Sequence, residues 1–245
     1  MKSILTFFFC FYATFLSAQM NNEDKINYDN EYTFGAQIYN KGIGIDFKLA
    51  NFNTIRKATF YHAQLMTIRD PKEVKISNSA QDQSGVYTYN KINQAFALNL
   101  GYGFRYYLAP KLTNSDAAVS LNISGGLSLT FLKPIYVNVL DYSSGSNPAG
   151  NIKSQKITEN NAPLQSDILG NSQFSKGLNE LSTYTGLYTK VGLNVDWSDY
   201  MENIKSIEVG FIINAFSSNL PLIRKYENKS VYSTFYIAFS IGDKY

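Results

Sequence analysis

The sequence predicts an all-β protein, a transmembrane antiparallel up-and-down β-barrel of about eight strands. Three observations carry this. Apolar and polar residues alternate with period two in segment after segment. The composition favours strands, with 19 Tyr and 17 Phe against 6 Pro and 1 Trp. The connections alternate between short and long, the loop asymmetry of bacterial outer-membrane barrels.

The first strand, 31–39, sets Tyr32, Phe34, Ala36 and Ile38 against Thr33, Gly35 and Gln37. A tight turn at Asn40-Lys41-Gly42 leads into the second, 43–51, with Ile43, Ile45, Phe47 and Leu49 on one face. The third, 57–68, is less regular and places Phe60, His62, Gln64 and Met66 together. The fourth, 92–108, alternates Phe96, Leu98, Leu100, Tyr102, Phe104 and Tyr106 with small or polar residues. The fifth, 118–132, is the clearest, Val119 to Phe131 against Ser120, Asn122, Ser124, Ser128 and Thr130, and 133–140 extends it or pairs separately. The sixth, seventh and eighth fall at 183–197, 204–216 and 230–242. Each is long enough for the roughly 9–11 residues that a tilted membrane strand requires.

Short connections fall at 52–56, 109–117 and 198–203, and long ones at 69–91, 141–182 and 217–229. With both chain ends periplasmic, all the long loops lie outside the cell. The Asn40 turn is the exception, short on the long-loop side. Loop 141–182 opens on Ser143-Ser144-Gly145-Ser146-Asn147-Pro148, which is turn chemistry, and 164–181 has room for a short helix. Residues 83–91 could also pair as an extra strand.

Period two leaves the direction of the apolar face open. The polar face is mostly Ser, Asn, Gly, Thr and Tyr with isolated charges, whereas a water-facing sheet is usually guarded by Lys and Glu. Small neutral residues suit the packed interior of an eight-stranded barrel, so the apolar face points to lipid. Tyr106, Trp197, Tyr200 and Tyr245 would then form a periplasmic aromatic girdle, and Tyr39, Tyr136 and Tyr184 an outer one.

Residues 1–19, MKSILTFFFCFYATFLSAQ, have the charged start, apolar run and small-residue cleavage site of a signal peptide. Residues 20–30 form a polar lead, and 31–245 the barrel. A net charge of +3 without a basic stripe gives no indication of nucleic acid. One Cys and one His exclude a disulfide framework and a Cys/His zinc site, and neither a metal nor a cofactor is expected.

Asp70-Pro71-Lys72-Glu73, Gly101-Tyr102-Gly103 and Lys133-Pro134-Ile135-Tyr136 resemble stretches of a family of uncharacterised outer-membrane β-barrel proteins of the Bacteroidota. The Ser-Ala-Gln end of the export signal is similar to theirs. The alternating last strand ending at Tyr245 resembles the assembly signal of outer-membrane barrels. The resemblance implies an outer-membrane location after signal cleavage, lipid as surroundings, and the outer-membrane assembly machinery as a partner during biogenesis. It implies no catalytic residue.

Seven ionisable residues fall on the lumen face: Asp46, Lys48, His62, Arg105, Lys190, Asp196 and Glu208. Buried charges must pair, so these are expected to form an internal ion-pair network, with Arg105, Asp196 and Glu208 toward the periplasmic end. His62 is the only possible imidazole base, yet parity puts it mid-strand on the lumen side, away from a rim where lipid or peptide could reach it. There is no Gly-x-Ser-x-Gly elbow. The expected function is therefore non-enzymatic: a structural or interaction component of the cell envelope, acting through its loops or as a subunit of a membrane complex with an envelope protein partner. The alternatives are an exported soluble ligand-binding β-barrel, which needs an apolar lumen, a small-solute pore, or a lipid-modifying enzyme.

Overall fold

The computed structural model describes residues 30–40, 42–77, 85–111, 116–141, 151–198 and 203–245. The expected signal peptide, nearly all of the polar lead, and Tyr200 lie outside them.

Thirteen strands follow one another among these residues: β1 (Asn30–Tyr39), β2 (Gly42–Thr54), β3 (Lys57–Ile68), β4 (Lys75–Ile76), β5 (Tyr87–Thr88), β6 (Asn93–Ala109), β7 (Ala118–Pro134), β8 (Tyr136–Asp141), β9 (Asn151–Lys156), β10 (Ile168–Asn171), β11 (Ser182–Asp196), β12 (Ile204–Phe216) and β13 (Val231–Lys244). Eight of them, β1, β2, β3, β6, β7, β11, β12 and β13, close into one barrel in which each pairs antiparallel with its neighbours. The protein is thus an all-β, closed, eight-stranded, up-and-down antiparallel barrel. The seam joins β1 to β13 from Glu31↔Lys244 to Tyr39↔Tyr236, and Asn30 and Tyr245 exchange backbone hydrogen bonds of 3.0 Å.

The side chains divide across this wall as period two requires. Outward-facing Tyr61, Phe104, Leu127, Leu187 and Ile241 are 62–66% exposed, while inward-facing Asn99, Ser128, Thr130 and Asn214 are fully buried. The polarity of an ordinary soluble protein is inverted.

The additional strands lie beyond the long-loop rim. The chain leaves β7 at Pro134, which has no N–H to continue the ladder, and Ile135 N–H turns back to Ile92 O at 2.8 Å. Residues 136–141 then pair separately, as β8, in a three-stranded sheet ordered β10-β8-β9. β4 and β5 form a two-stranded hairpin. The backbones of Gly85 and Gly170 meet closely, with Gly85 N–H donating to Leu169 O at 2.7 Å. Gly170 holds φ +146°, a conformation that side chains disfavour. Tyr87, Val137, Val139, Ile157 and Ile168 make this lobe its own small core. The helix expected within 164–181 does not form. β10 takes its centre by pairing with β8, leaving only single 3-10 turns at Gln165–Asp167 and Leu178–Glu180.

Candidate functional site: the lumen network and the extracellular cap

β3 gives the lumen its layers. Its inward residues Phe60, His62, Gln64, Met66 and Ile68 climb from the short-turn end to the long-loop mouth. The register sets Lys48 opposite His62 and Asp46 opposite Gln64. The inward positions of the other strands bring ions together low in the barrel, amides above them, and apolar groups at the top.

Glu208 is the centre of the ionic layer. Its carboxylate lies 2.7 Å from Lys48 Nζ and 3.2 Å from Lys190 Nζ, and accepts hydrogen bonds from Tyr236 O–H and Asn122 Nδ2, each at 2.6 Å. Asp46 is a second carboxylate for Lys48 at 3.6 Å. His62 Nδ1 is 2.9 Å from the Tyr188 hydroxyl, and its Nε2 is 3.8 Å from Asp46. Asn122 also accepts from Arg105 Nε at 3.0 Å, linking this centre to an Arg105–Glu31 ion pair below it. Three cations, Lys48, Lys190 and Arg105, thus face three carboxylates, Glu31, Asp46 and Glu208, all of them buried. That balance is what a low-dielectric interior demands.

Glycine makes room for the two large tyrosines. Gly210 pairs directly with Tyr236, and a Cβ there would meet the Tyr236 oxygen at 2.8 Å. A Cβ on Gly101 would meet the Tyr188 hydroxyl at 2.5 Å. These glycines are spaces that the hydroxyls of the network occupy.

Above the ions, Gln64 Nε2 donates to Gln37 Oε1 and to the Tyr39 hydroxyl, each at 2.6 Å, and Asn99 Nδ2 donates to Gln64 at 3.0 Å. Above these amides the lumen ends in an apolar plug. Leu220, Leu222 and Ile223 of the β12–β13 loop are buried with Ile68, Ala95 and Leu132. Leu222 O accepts from Ile92 N–H at 2.9 Å, and Asn228 Oδ1 accepts from the Leu222 and Ile223 N–H groups at 2.9 and 3.2 Å. The cap over the barrel is therefore loop 217–229. The described parts of loops 69–91 and 141–182 build the outer lobe instead.

Of the seven expected network residues, six lie in or beside the ionic layers. Asp196 does not join them and accepts instead from the Ser198 N–H and hydroxyl at 2.8 and 2.5 Å. Glu31, Asn122, Tyr188 and Tyr236 complete the network beyond the ionisable residues expected. At the short-turn rim Tyr106, Trp197 and Tyr245 are exposed, and Tyr32 stands against Tyr245 at 6.2 Å. The expected outer girdle does not form. Tyr39 is buried in the lumen, Tyr184 packs toward the plug, and Tyr136 belongs to the lobe, where it donates to Glu180 at 2.5 Å. Parity in β1 and β11 governs these tyrosines, not their height along the strand.

Among the described residues, no group of three or more His, Cys, Asp or Glu is arranged to hold a metal ion. His62 is sealed from solvent, as is the Asp46 carboxylate beside it.

Fold and lumen together define a class: a closed eight-stranded barrel with an apolar outside, a filled polar inside and a capped mouth. No protein-family model matches the chain, and no curated protein matches its sequence. Its structure is similar to the N-terminal β-barrel domain of Pseudomonas aeruginosa OprF, with 7% identity, 89% of this chain and 97% of that one covered, and a TM-score of 0.35. It is also similar to Ail, the attachment invasion locus protein of Yersinia pestis, solved with the heparin analogue sucrose octasulfate, with 8% identity, coverages of 89% and 97%, and a TM-score of 0.38. Neisserial surface protein A gives 8%, coverages of 89% and 95%, and 0.36. Overlaps this loose transfer no function.

Proposed function

We propose that this chain is an outer-membrane β-barrel of the cell envelope, reached after export with a cleaved signal peptide, and that it acts as a non-enzymatic interaction component through its extracellular lobe. One observation carries the membrane reading: a closed wall exposes a continuous apolar face while its charges are buried inside. A wall of this kind is stable in hydrocarbon because closure leaves no unpaired strand edge around it. The exported soluble ligand-binding barrel needs the reverse, an apolar lumen and a polar exterior.

Two further observations support the rest of the reading. The lumen is filled by side chains and closed by Leu220, Leu222 and Ile223, which disfavours a small-solute pore. His62 has neither an exposed ring nor access to a substrate, which disfavours a lipid-modifying enzyme. The lobe offers a folded surface on a rigid scaffold, the usual arrangement for binding. Its partner would be another envelope protein; the barrel wall would meet lipid, and the assembly machinery only during biogenesis.

The first test is gel mobility of the outer-membrane fraction in SDS, heated against unheated. A folded membrane barrel resists SDS until boiled, so a heat-dependent shift is expected. A soluble protein without a shift would overturn the membrane reading. Cross-linking through Lys153, which is exposed on β9, then tests the partner reading: an adduct with another envelope protein is expected, and none forming in intact cells would overturn it.

A further inference from the structure

The β1–β2 hairpin is the one short connection at the extracellular rim, and its shortness cuts into the wall. β1 pairing with β13 stops at Tyr39↔Tyr236, and β2 pairing with β3 stops at Gly44↔Met66. β13 rises beyond this level as Val231–Phe235, and β3 as Thr67–Ile68. Where β1 and β2 would continue between them there is a notch.

A cavity of about 140 Å³ occupies the notch. Asn40 forms its sill, Arg69 and Thr67 one side, and Lys229, Tyr232 and Ser233 the other. Thr67 Oγ1 is held by the Ile43 backbone at 3.2 and 3.3 Å, which fixes the edge of the sill. The Tyr232 residue is 5% exposed, and its hydroxyl, near the Lys229 backbone N–H, donates to no acceptor among the described residues. No carboxylate is among the lining residues. The acids near Tyr232 have partners outside the lining: Asp70 accepts from Lys72 N–H at 2.8 Å, and Glu73 pairs with Lys91 at 2.7 Å. Two cationic and several hydroxyl-bearing residues thus line an opening that has no carboxylate among its lining residues, with Asp70 and Glu73 close behind the Tyr232 hydroxyl.

Below the notch the outer wall is apolar. Ile38, Ile43, Leu65 and Phe235 are all exposed around it. A cationic slot directly above a hydrocarbon-facing skirt matches one kind of molecule, an amphiphile with an anionic head. Cationic and hydroxyl-bearing lining residues suit the several acceptor oxygens of a phosphate, and an arginine guanidinium is the group able to engage two of them together.

We propose that this notch seats the phosphate of an anionic outer-leaflet lipid, with its acyl chains lying on the Ile38–Ile43–Leu65–Phe235 skirt. The proposal rests on the outer-membrane reading above.

The test uses the full chain in mild detergent, probed by native mass spectrometry with phosphatidic acid, with phosphatidylcholine of the same chains, and with inorganic phosphate as competitor. Heat-modifiable mobility is measured on every sample. The wild type is expected to retain phosphatidic acid at least about tenfold better than phosphatidylcholine, one charge-assisted contact being of that order. The double variant Arg69→Gln, Lys229→Gln is expected to lose this preference while keeping its heat shift. The charge-matched double variant Lys153→Gln, Lys225→Gln is expected to keep both. Equal retention of the two lipids, or full retention by Arg69→Gln, Lys229→Gln, would overturn the proposal. Inorganic phosphate displacing the lipid at equal concentration would identify a free-phosphate site and overturn the lipid assignment. Loss of the heat shift in the wild type would remove the membrane reading itself, a different failure from loss of lipid preference in a heat-modifiable barrel.

Discussion

Replacing Glu208 by Gln removes one charge from the middle of the lumen and almost no volume. At 2.7 and 3.2 Å from Lys48 and Lys190, the gross attractions are about 6 and about 5 kcal/mol at an effective dielectric near 20. Desolvation of the three ions cancels most of this in the wild type. In the variant the attraction is gone, but both lysines remain buried. Lys48 falls back on Asp46 at 3.6 Å, while Lys190 has no second carboxylate within ion-pair distance among the described residues. The expected loss is about 3–5 kcal/mol, the range for breaking a buried pair from one side. Urea titration in lipid vesicles would report it through Trp197, the only tryptophan in the chain. Adding Lys190→Met removes the stranded charge, and recovery of at least about half the loss is expected. A Glu208→Gln loss below about 1 kcal/mol, or no recovery in the double variant, would refute the account of a charge-balanced lumen.

Arg105→Ala should lower thermal stability by about 3–5 kcal/mol, because it strands Glu31 inside the barrel; an unchanged melting temperature would end the network argument. Leu222→Ala should weaken the cap by about 2–4 kcal/mol and speed amide exchange at Ile92, whose N–H it holds at 2.9 Å; unchanged exchange there would show that the loop is not a plug. Burial pulls the Lys91 ammonium below its ordinary range despite the Glu73 carboxylate at its side. The unfolded chain therefore holds this proton to higher pH than the folded one, so the 69–92 anchor gains stability as pH rises through that window below about 10.4. Limited proteolysis of the loop between pH 8 and 10 should slow with rising pH in the wild type and lose that trend in Lys91→Met.

The eight barrel strands were legible because a wall with one face in lipid and one in a polar lumen imposes strict alternation over ten or more residues. The inward direction of Asp46, Lys48, His62 and Glu208 followed from the same parity. Which of them meet did not follow. Lys48 and Glu208 are separated by 160 positions in sequence, and their contact depends on how the strands slide past one another on closure. Parity also places Glu31 on the Thr33 face and Tyr39 inside. Reading Tyr39 by its height near the rim gave the wrong environment. The cap was hidden because Leu220, Leu222 and Ile223 carry no period, and only the mouth they fill gives them a role. The lobe was hidden for a related reason. Its strands are two to six residues long, too short for alternation to stand out from chance.

The seam between β1 and β13 has a consequence for how the molecule is made. The first barrel strand to emerge from the ribosome has no partner on one side until the last has been synthesised, since Glu31 waits for Lys244 and Asn30 for Tyr245. Hairpins can form early, but the wall cannot close piecemeal, and a high contact order of this kind makes closure slow. Meanwhile the carboxylates and ammonium groups that later neutralise one another must be kept in water. A chain that lacked β13 would leave β1 and β12 with open edges and Glu208 without the Tyr236 hydroxyl, so the wall becomes whole only when its last strand is in place.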